Sequence, residues 1–306
     1  MVIKMISVFT NVATLIIFAS IGYLLAKCKI ANPQYGQILS SLLVYVFSPA
    51  MLFQTFSRNF NVNYIKENYS LMLVSLAILA VLIVISIFVP KLLTKHPYKR
   101  KVYEYSMIIA NYGYMGYPLT KILFGEQVLL NVMMFALPLS IYIYTYGLCR
   151  LTNTGLNLKK LINPSILAIL FGMLYGLSGL SIPVFVNDFL TTASAPMGIT
   201  AMLLAGITVS EYKFTELLKY KANYFVAIWK VLIVPLTIGF ILAEVFNNHD
   251  LARVALMISA IPCGLNTIIF PKLVGEDCST GASLALISSI LSIGTIPLCL
   301  YVFNLI

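Results

Sequence analysis

Two short stretches hold the residue types from which a binding site inside a membrane is built. Residues 110–119 read ANYGYMGYPL and contain Asn111, Gly113, Gly116 and Pro118. Residues 261–271 read IPCGLNTIIFP and contain Pro262, Gly264 and Asn266. Each stretch sits inside a segment apolar enough to cross a bilayer. A proline in a helix deletes one backbone hydrogen bond, and its ring clashes with the preceding turn. In lipid, a freed backbone group costs several kcal/mol unless protein or a wet cavity satisfies it. Breaks at corresponding places in two halves of a chain therefore point to a binding site near the bilayer midplane. The chemistry on offer is recognition of a carboxylate. A helix that restarts after a break presents unpaired amides and a partial positive charge, a setting that commonly binds anions. Asn111 and Asn266 would supply amide donors to a solute or acceptors to a cation. The glycines would let unwound backbone pack closely.

Lys230 is the clear basic residue inside a predicted span, and an intramembrane charge is a functional-site hypothesis by default. It lies about two helical turns from an interface. Two roles follow: snorkelling or structural pairing through its long stem, or anion attraction and conformational coupling. Tyr112, Tyr114 and Tyr117 would line a cavity or simply pack between helices. Glu126 and Glu276 fall near helix ends, where solvated or turn-stabilising roles suit them better than proton transfer.

The elements that must position these residues follow from composition. Of 306 residues, 60% are hydrophobic and 10% are charged, and the mean hydropathy is +0.94. A soluble domain carries roughly 25% charged residues, so lipid must be the solvent for much of this chain. The net charge of +10 is concentrated in a few loops. That suits an anionic membrane surface and not nucleic acid. The five cysteines share no short spacing and read as reduced apolar side chains. Two histidines in predicted loops do not make a metal centre, so no metal or cofactor is expected.

Ten segments have transmembrane length, roughly 2–26, 36–56, 69–93, 103–123 and 128–151, then 164–180, 187–209, 223–246, 251–273 and 279–303. The first follows Lys4 but is too long for a signal peptide's apolar core and lacks a clear cleavage site, so it reads as a mature helix. Alternate loops collect the basic residues. One side holds Lys27 and Lys29; Lys91, Lys95, Lys99, Arg100 and Lys101; Arg150, Lys159 and Lys160; Lys213, Lys219 and Lys221; and Lys272. The other has Lys4, Arg58, Lys66, Lys121 and Arg253. The rich side is expected to be cytoplasmic, which puts both termini outside a multi-pass plasma-membrane protein.

The halves repeat. Gly22 and Pro33 are matched by Gly172 and Pro183 at an offset of 150, and Gly125-Glu126 by Gly275-Glu276 at the same offset. Pro49 has a looser counterpart in Pro196, and Pro138 in Pro297. Five spans per repeat is an odd number, so the second copy, residues 153–306, must enter the membrane upside down relative to residues 1–152. That is an inverted-topology repeat.

These residues carry a resemblance. Asn111-x-Gly113-x-x-Gly116-x-Pro118-Leu119 resembles the fourth-helix signature of the auxin efflux carrier family, which includes plant PIN-type carriers and bacterial carriers. Ile261-Pro262-x-x-x-Asn266, Gly275-Glu276 and Ser292-Ile293-x-Thr295-Ile296-Pro297-Leu298 are similar to its ninth and tenth helices. The short loops resemble bacterial members. Ile261 stands where the family more often has Met, an apolar exchange. The resemblance implies an all-α, ten-helix fold related to bile-acid-sodium symporter-like transporters. Helices 1, 2, 6 and 7 would form a scaffold and dimerisation domain, and helices 3–5 and 8–10 a moving transport domain. Broken helices four and nine would cross at Pro118 and Pro262, with substrate at the crossing and an elevator-like displacement giving alternating access.

The expected function is secondary active or facilitated transport of a small organic anion by a homodimer in lipid. An anion channel would need polar rings along a pore, and a membrane-embedded enzyme would need a nucleophile–base pair or metal cluster; the sequence shows neither. No Asp or Glu lies near the centre of a span, which leaves uniport, Na+ coupling through carbonyl and amide oxygens, and H+ coupling through peripheral groups open.

Overall fold

Every regular element of the chain is helical. The computed structural model describes residues 2–32, 34–154, 164–303 and 305, and among these there is no strand beyond one isolated bridge. Pro33, Lys159 and Lys160 lie outside the described residues, as do the side chains of Lys4, Pro118 and Glu126.

In chain order the helices are α1 (Val2–Lys27), α2 (Gln34–Asn59), α3 (Val62–Leu93), α4 (Pro97–Ile108), α5 (Tyr117–Phe135) and α6 (Leu137–Leu151). The second half holds α7 (Pro164–Leu177), α8 (Val184–Ser210), α9 (Lys221–Val245), α10 (His249–Ser259), α11 (Asn266–Val274) and α12 (Ser279–Val302). Five of them, α2, α3, α8, α9 and α12, are long and apolar enough to cross a membrane singly, and a bent pair, Gln127–Phe135 with α6, makes a sixth. The chain is a multi-pass membrane protein. On α3, Leu73, Leu76, Val81, Val84 and Phe88 are all more than half exposed. A water-soluble helix would not leave such a surface uncovered; lipid does so at no cost.

Local sequence explains the helix ends. Asn61 caps α3 by accepting from Tyr64 N–H at 2.9 Å, and Asn248 caps α10 by accepting from Leu251 N–H at 3.0 Å. Pro97 opens α4, where a missing N–H costs nothing. Gly125 (φ +80°) and Gly275 (φ +74°) adopt backbone angles that side chains with a Cβ disfavour. Gly275 ends α11, while Gly125 interrupts α5 and divides it in two. The matched glycines share a positive φ but differ in ψ, −176° at Gly125 and 21° at Gly275.

Five π-helical turns interrupt the helices among the described residues, and three of them, Leu43–Phe47, Tyr112–Gly116 and Trp229–Ile233, end two residues before Pro49, Pro118 and Pro235. A widened turn before a proline accommodates its missing donor. Prolines that break a helix on paper are therefore carried inside continuous ones. Pro297 likewise lies within an unbroken α12, whereas Pro138 follows the 46° bend between Phe135 and Leu137. Pro196 splits α8, with the second segment starting at Met197.

The most extensive helix pairs are α1 with α8 and α2 with α7. The buried core gathers around α4, α10 and α11, whose residues Val102, Leu256 and Ile269 have no exposed surface, as does Ile261 between α10 and α11.

Candidate functional site

Helices α4 and α10 stop inside the protein, at Ile108 and Ser259, and each is followed by a short irregular stretch. These two stretches lie antiparallel across one another. Asn111 N–H donates 2.8 Å to the Pro262 carbonyl, and Gly264 N–H donates 3.1 Å to the Ile109 carbonyl. Ala110 and Cys263 face each other in the resulting bridge. Cys263 N–H is taken by Ser288 Oγ of α12 at 3.1 Å. Backbone groups freed by breaking a helix thus satisfy one another away from water.

The first break lies at Ile109–Asn111, not at Pro118. Helical structure resumes with the π turn Tyr112–Gly116 and runs on into α5, so Pro118 sits inside the restarted helix. Pro262 does lie in the second break, and its carbonyl is one of the bridging groups.

The two restarts share a cavity of about 30 Å³. Asn111, Gly113 and Tyr114 line it from one half and Gly264, Leu265 and Asn266 from the other; Met51 and Leu52 of α2 and Met197 of α8 close it. That is room for about a water or two. Asn111 is 3% exposed and its Oδ1 has no hydrogen-bond partner. A buried unsatisfied amide oxygen costs about 1–3 kcal/mol, and an amide flip would turn N–H donors to the same side. Asn266 differs. Its Nδ2 donates to Tyr105 Oη at 2.8 Å, and its Oδ1 accepts from Tyr114 Oη at 3.4 Å.

The three glycines separate. A Cβ on Gly264 would come within 3.2 Å of Ile109 Cγ2, and one on Gly116 within 3.2 Å of the Met257 carbonyl, so both hold the crossing close. At Gly113 the nearest atom would be Met197 Cε at 3.8 Å, an ordinary contact. Gly113 is thus not required for close backbone packing; it leaves open space beside the cavity.

Tyr105, Ser140 and Met197 are site residues the sequence did not single out. Ser140 Oγ meets Tyr112 Oη at 3.1 Å. Tyr105 and Asn266 are far apart in the chain, so only the fold pairs them. The signal present in the sequence was the tyrosine run at positions 103, 105, 112, 114 and 117.

Lys230 does not snorkel. It is 2% exposed, rides in the π turn of α9, and its Nζ donates 2.9 Å to the Ile108 carbonyl at the end of α4. A cation at a helix C-terminus meets the negative end of the helix dipole.

Near the α11–α12 turn, polar contacts join α11 and its following turn to α2 and α8. Lys272 Nζ lies 2.5 and 2.7 Å from the Glu211 carboxylate oxygens. Gln37 Nε2 donates to the Leu273 carbonyl at 3.3 Å, and Tyr212 Oη donates to Asp277 at 3.3 Å. Cys278, in the same turn, is buried, and burial pushes its thiol up to about 12. Glu276 accepts from Asn153 Nδ2 at 2.8 Å, a turn-stabilising contact.

The membrane transport protein family matches residues 7–156 and 148–300 of this chain. An uncharacterized transporter of Methanocaldococcus jannaschii is 25% identical over 311 residues, covering 94% of this chain and 96% of the relative.

Proposed function

Because the chain belongs to the membrane transport protein family of auxin efflux carriers, we propose that it is a secondary carrier of a small, carboxylate-bearing organic anion. Family membership makes it a transporter and not an enzyme. The observation that carries the substrate class is the shared cavity: two helix starts converge there beside the Asn111 side-chain amide, whose Oδ1 has no partner. Two partial positive charges suit a carboxylate, and the Asn111 amide, flipped, would add N–H donors.

In this reading the chain forms ten spans as an inverted repeat of residues 1–152 and 153–306. Spans four and five share α5, turning at Gly125-Glu126, and span nine is α10 with α11. The scaffold is α1, α2, α7 and α8, and the remaining helices form the transport body. The cavity lies where the two meet, with Met51, Leu52 and Met197 from the scaffold side. Displacement of the body along the scaffold would open it to alternate sides. A homodimer through α2 and α8, embedded in lipid with both termini extracytoplasmic, completes the proposal.

The experiment is a thermal-shift screen of dicarboxylates, indole acids, amino acids and hydrophobic anions on the purified protein, followed by counterflow in liposomes. A stabilising carboxylate that shows saturable counterflow in wild type and weak binding in Asn111→Ala supports the carrier reading. Non-saturating flux without counterflow would replace it with a channel.

A further inference from the structure

The crossing sorts the four ends of its broken helices by polarity. Both starts face the Asn111 cavity. Both C-terminal ends, Ile108 of α4 and Ser259 of α10, line a second cavity of about 20 Å³ on which Lys230 abuts. Ser75 of α3 also lines it, with a buried Oγ that has no partner. Ser259 Oγ is engaged by its own helix, at 2.8 Å from the Ala255 carbonyl. No carboxylate is among the lining residues.

Each helix C-terminus carries roughly half a negative charge. In carriers built from broken helices, such ends and the unwound carbonyls beside them coordinate the coupling cation. Here the Ile108 carbonyl is already taken by an ammonium belonging to the chain. Lys230 has three donors and no acceptor, and its ammonium is met by the carbonyl end of α4 with no carboxylate lining the cavity beside it.

We infer that Lys230 is the resident cation of the crossing: its ammonium occupies the cation position between the two half-helix C-termini, and this position takes no Na+. The inference deepens the carrier reading and rests on it for its meaning in transport. It answers the sodium question for this position from geometry: one monovalent charge is present and tethered.

The test follows thermal unfolding of the purified protein in choline chloride, then with added NaCl, propylammonium chloride or propanol at equal ionic strength. Wild type should show no saturable response to Na+. Lys230→Ala, which vacates the position, should melt lower and recover saturably, by about 2 °C or more, with propylammonium or Na+ but not with neutral propanol. Lys230→Met fills the space without charge and should melt lower with no rescue. A saturable Na+ stabilisation of wild type would overturn the inference. So would Lys230→Met matching wild type in choline, or propanol rescuing Lys230→Ala as well as propylammonium. If Lys230→Ala does not fold, the wild-type titration and Lys230→Met decide. No transported solute enters the readout, so the result stands apart from the counterflow experiment.

Discussion

Gly22 of α1 packs against the backbone carbonyl of Leu203 in α8, so closely that a Cβ could not fit between them. Gly172 of α7 packs in the same way on Phe53 of α2, where a Cβ would stand 2.9 Å from the carbonyl oxygen. Shifting one pair by 150 residues gives the other with its partners exchanged. That exchange is the contact pattern of a two-fold relation between the halves, whichever way up the second one enters the membrane. Gly22→Val and Gly172→Val should each cost about 1–3 kcal/mol through overpacking. Gly294→Val, where a Cβ would meet nothing within 4 Å, should change far less. Thermal unfolding of the three variants in one detergent checks the ranking.

Asn111→Ala should weaken binding of the ligand found by screening by roughly 1–3 kcal/mol, about fivefold to 150-fold in Kd. Stability should not fall, because the amide oxygen it removes has no partner to lose. Asn266→Ala should lower stability as well as binding, since it leaves Tyr105 and Tyr114 without their shared amide. Calorimetric binding and melting curves on both variants separate the two effects.

Pro118→Ala should leave the break in place. The break is stapled at Asn111 and Gly264 by backbone bonds that Pro118 does not make. Gly264→Val, which drives side-chain atoms toward Ile109 and the Ala110 carbonyl, should loosen the crossing and reduce binding well below Pro118→Ala. A Pro118→Ala variant binding as poorly as Gly264→Val would count against this account.

Lys272 and Glu211 form a partly buried ion pair between α11 and the end of α8. A double-mutant cycle with Lys272→Met and Glu211→Gln should show a coupling of about 0.5–3 kcal/mol. The coupling should shrink only modestly with added salt, because partly buried pairs are weakly screened.

Cys28 is exposed, and the other four cysteines are buried. An impermeant maleimide should therefore label Cys28 in inside-out vesicles but not in intact cells, as the basic loop holding Lys27 and Lys29 requires. Cys278 should stay unlabelled in folded protein at neutral pH. Its thiol is held up to about 12, so the reactive thiolate grows only as pH rises toward that value. Labelling of Cys28 from outside intact cells would reverse the orientation.

The sequence showed that helices break near Asn111 and Pro262, because glycine and proline interrupt runs that would otherwise be continuous. It did not show where. Pro118 looked like the break, but the π turn before it runs on into α5, so position 118 falls inside a helix. Nor did it show where Lys230 ends: the stem length permits an interface, and only the position of α4 supplies the Ile108 carbonyl. Tyr105 stayed invisible for the same reason, since its partner Asn266 comes from the other half. Patterns within one helix are legible from sequence; contacts between halves are not.

The bridge between Ala110 and Cys263 also sets an order of events during synthesis. Its two strands are about 150 residues apart in the chain, and ribosomes add roughly 5–20 residues per second. The first break therefore leaves the ribosome on the order of ten seconds before the groups that will satisfy it. For that interval the Ile109 carbonyl and the Asn111 amide need another partner, from the insertion machinery or from water. The first half of the protein is thus a nascent chain that the membrane cannot accept as finished until the second half arrives.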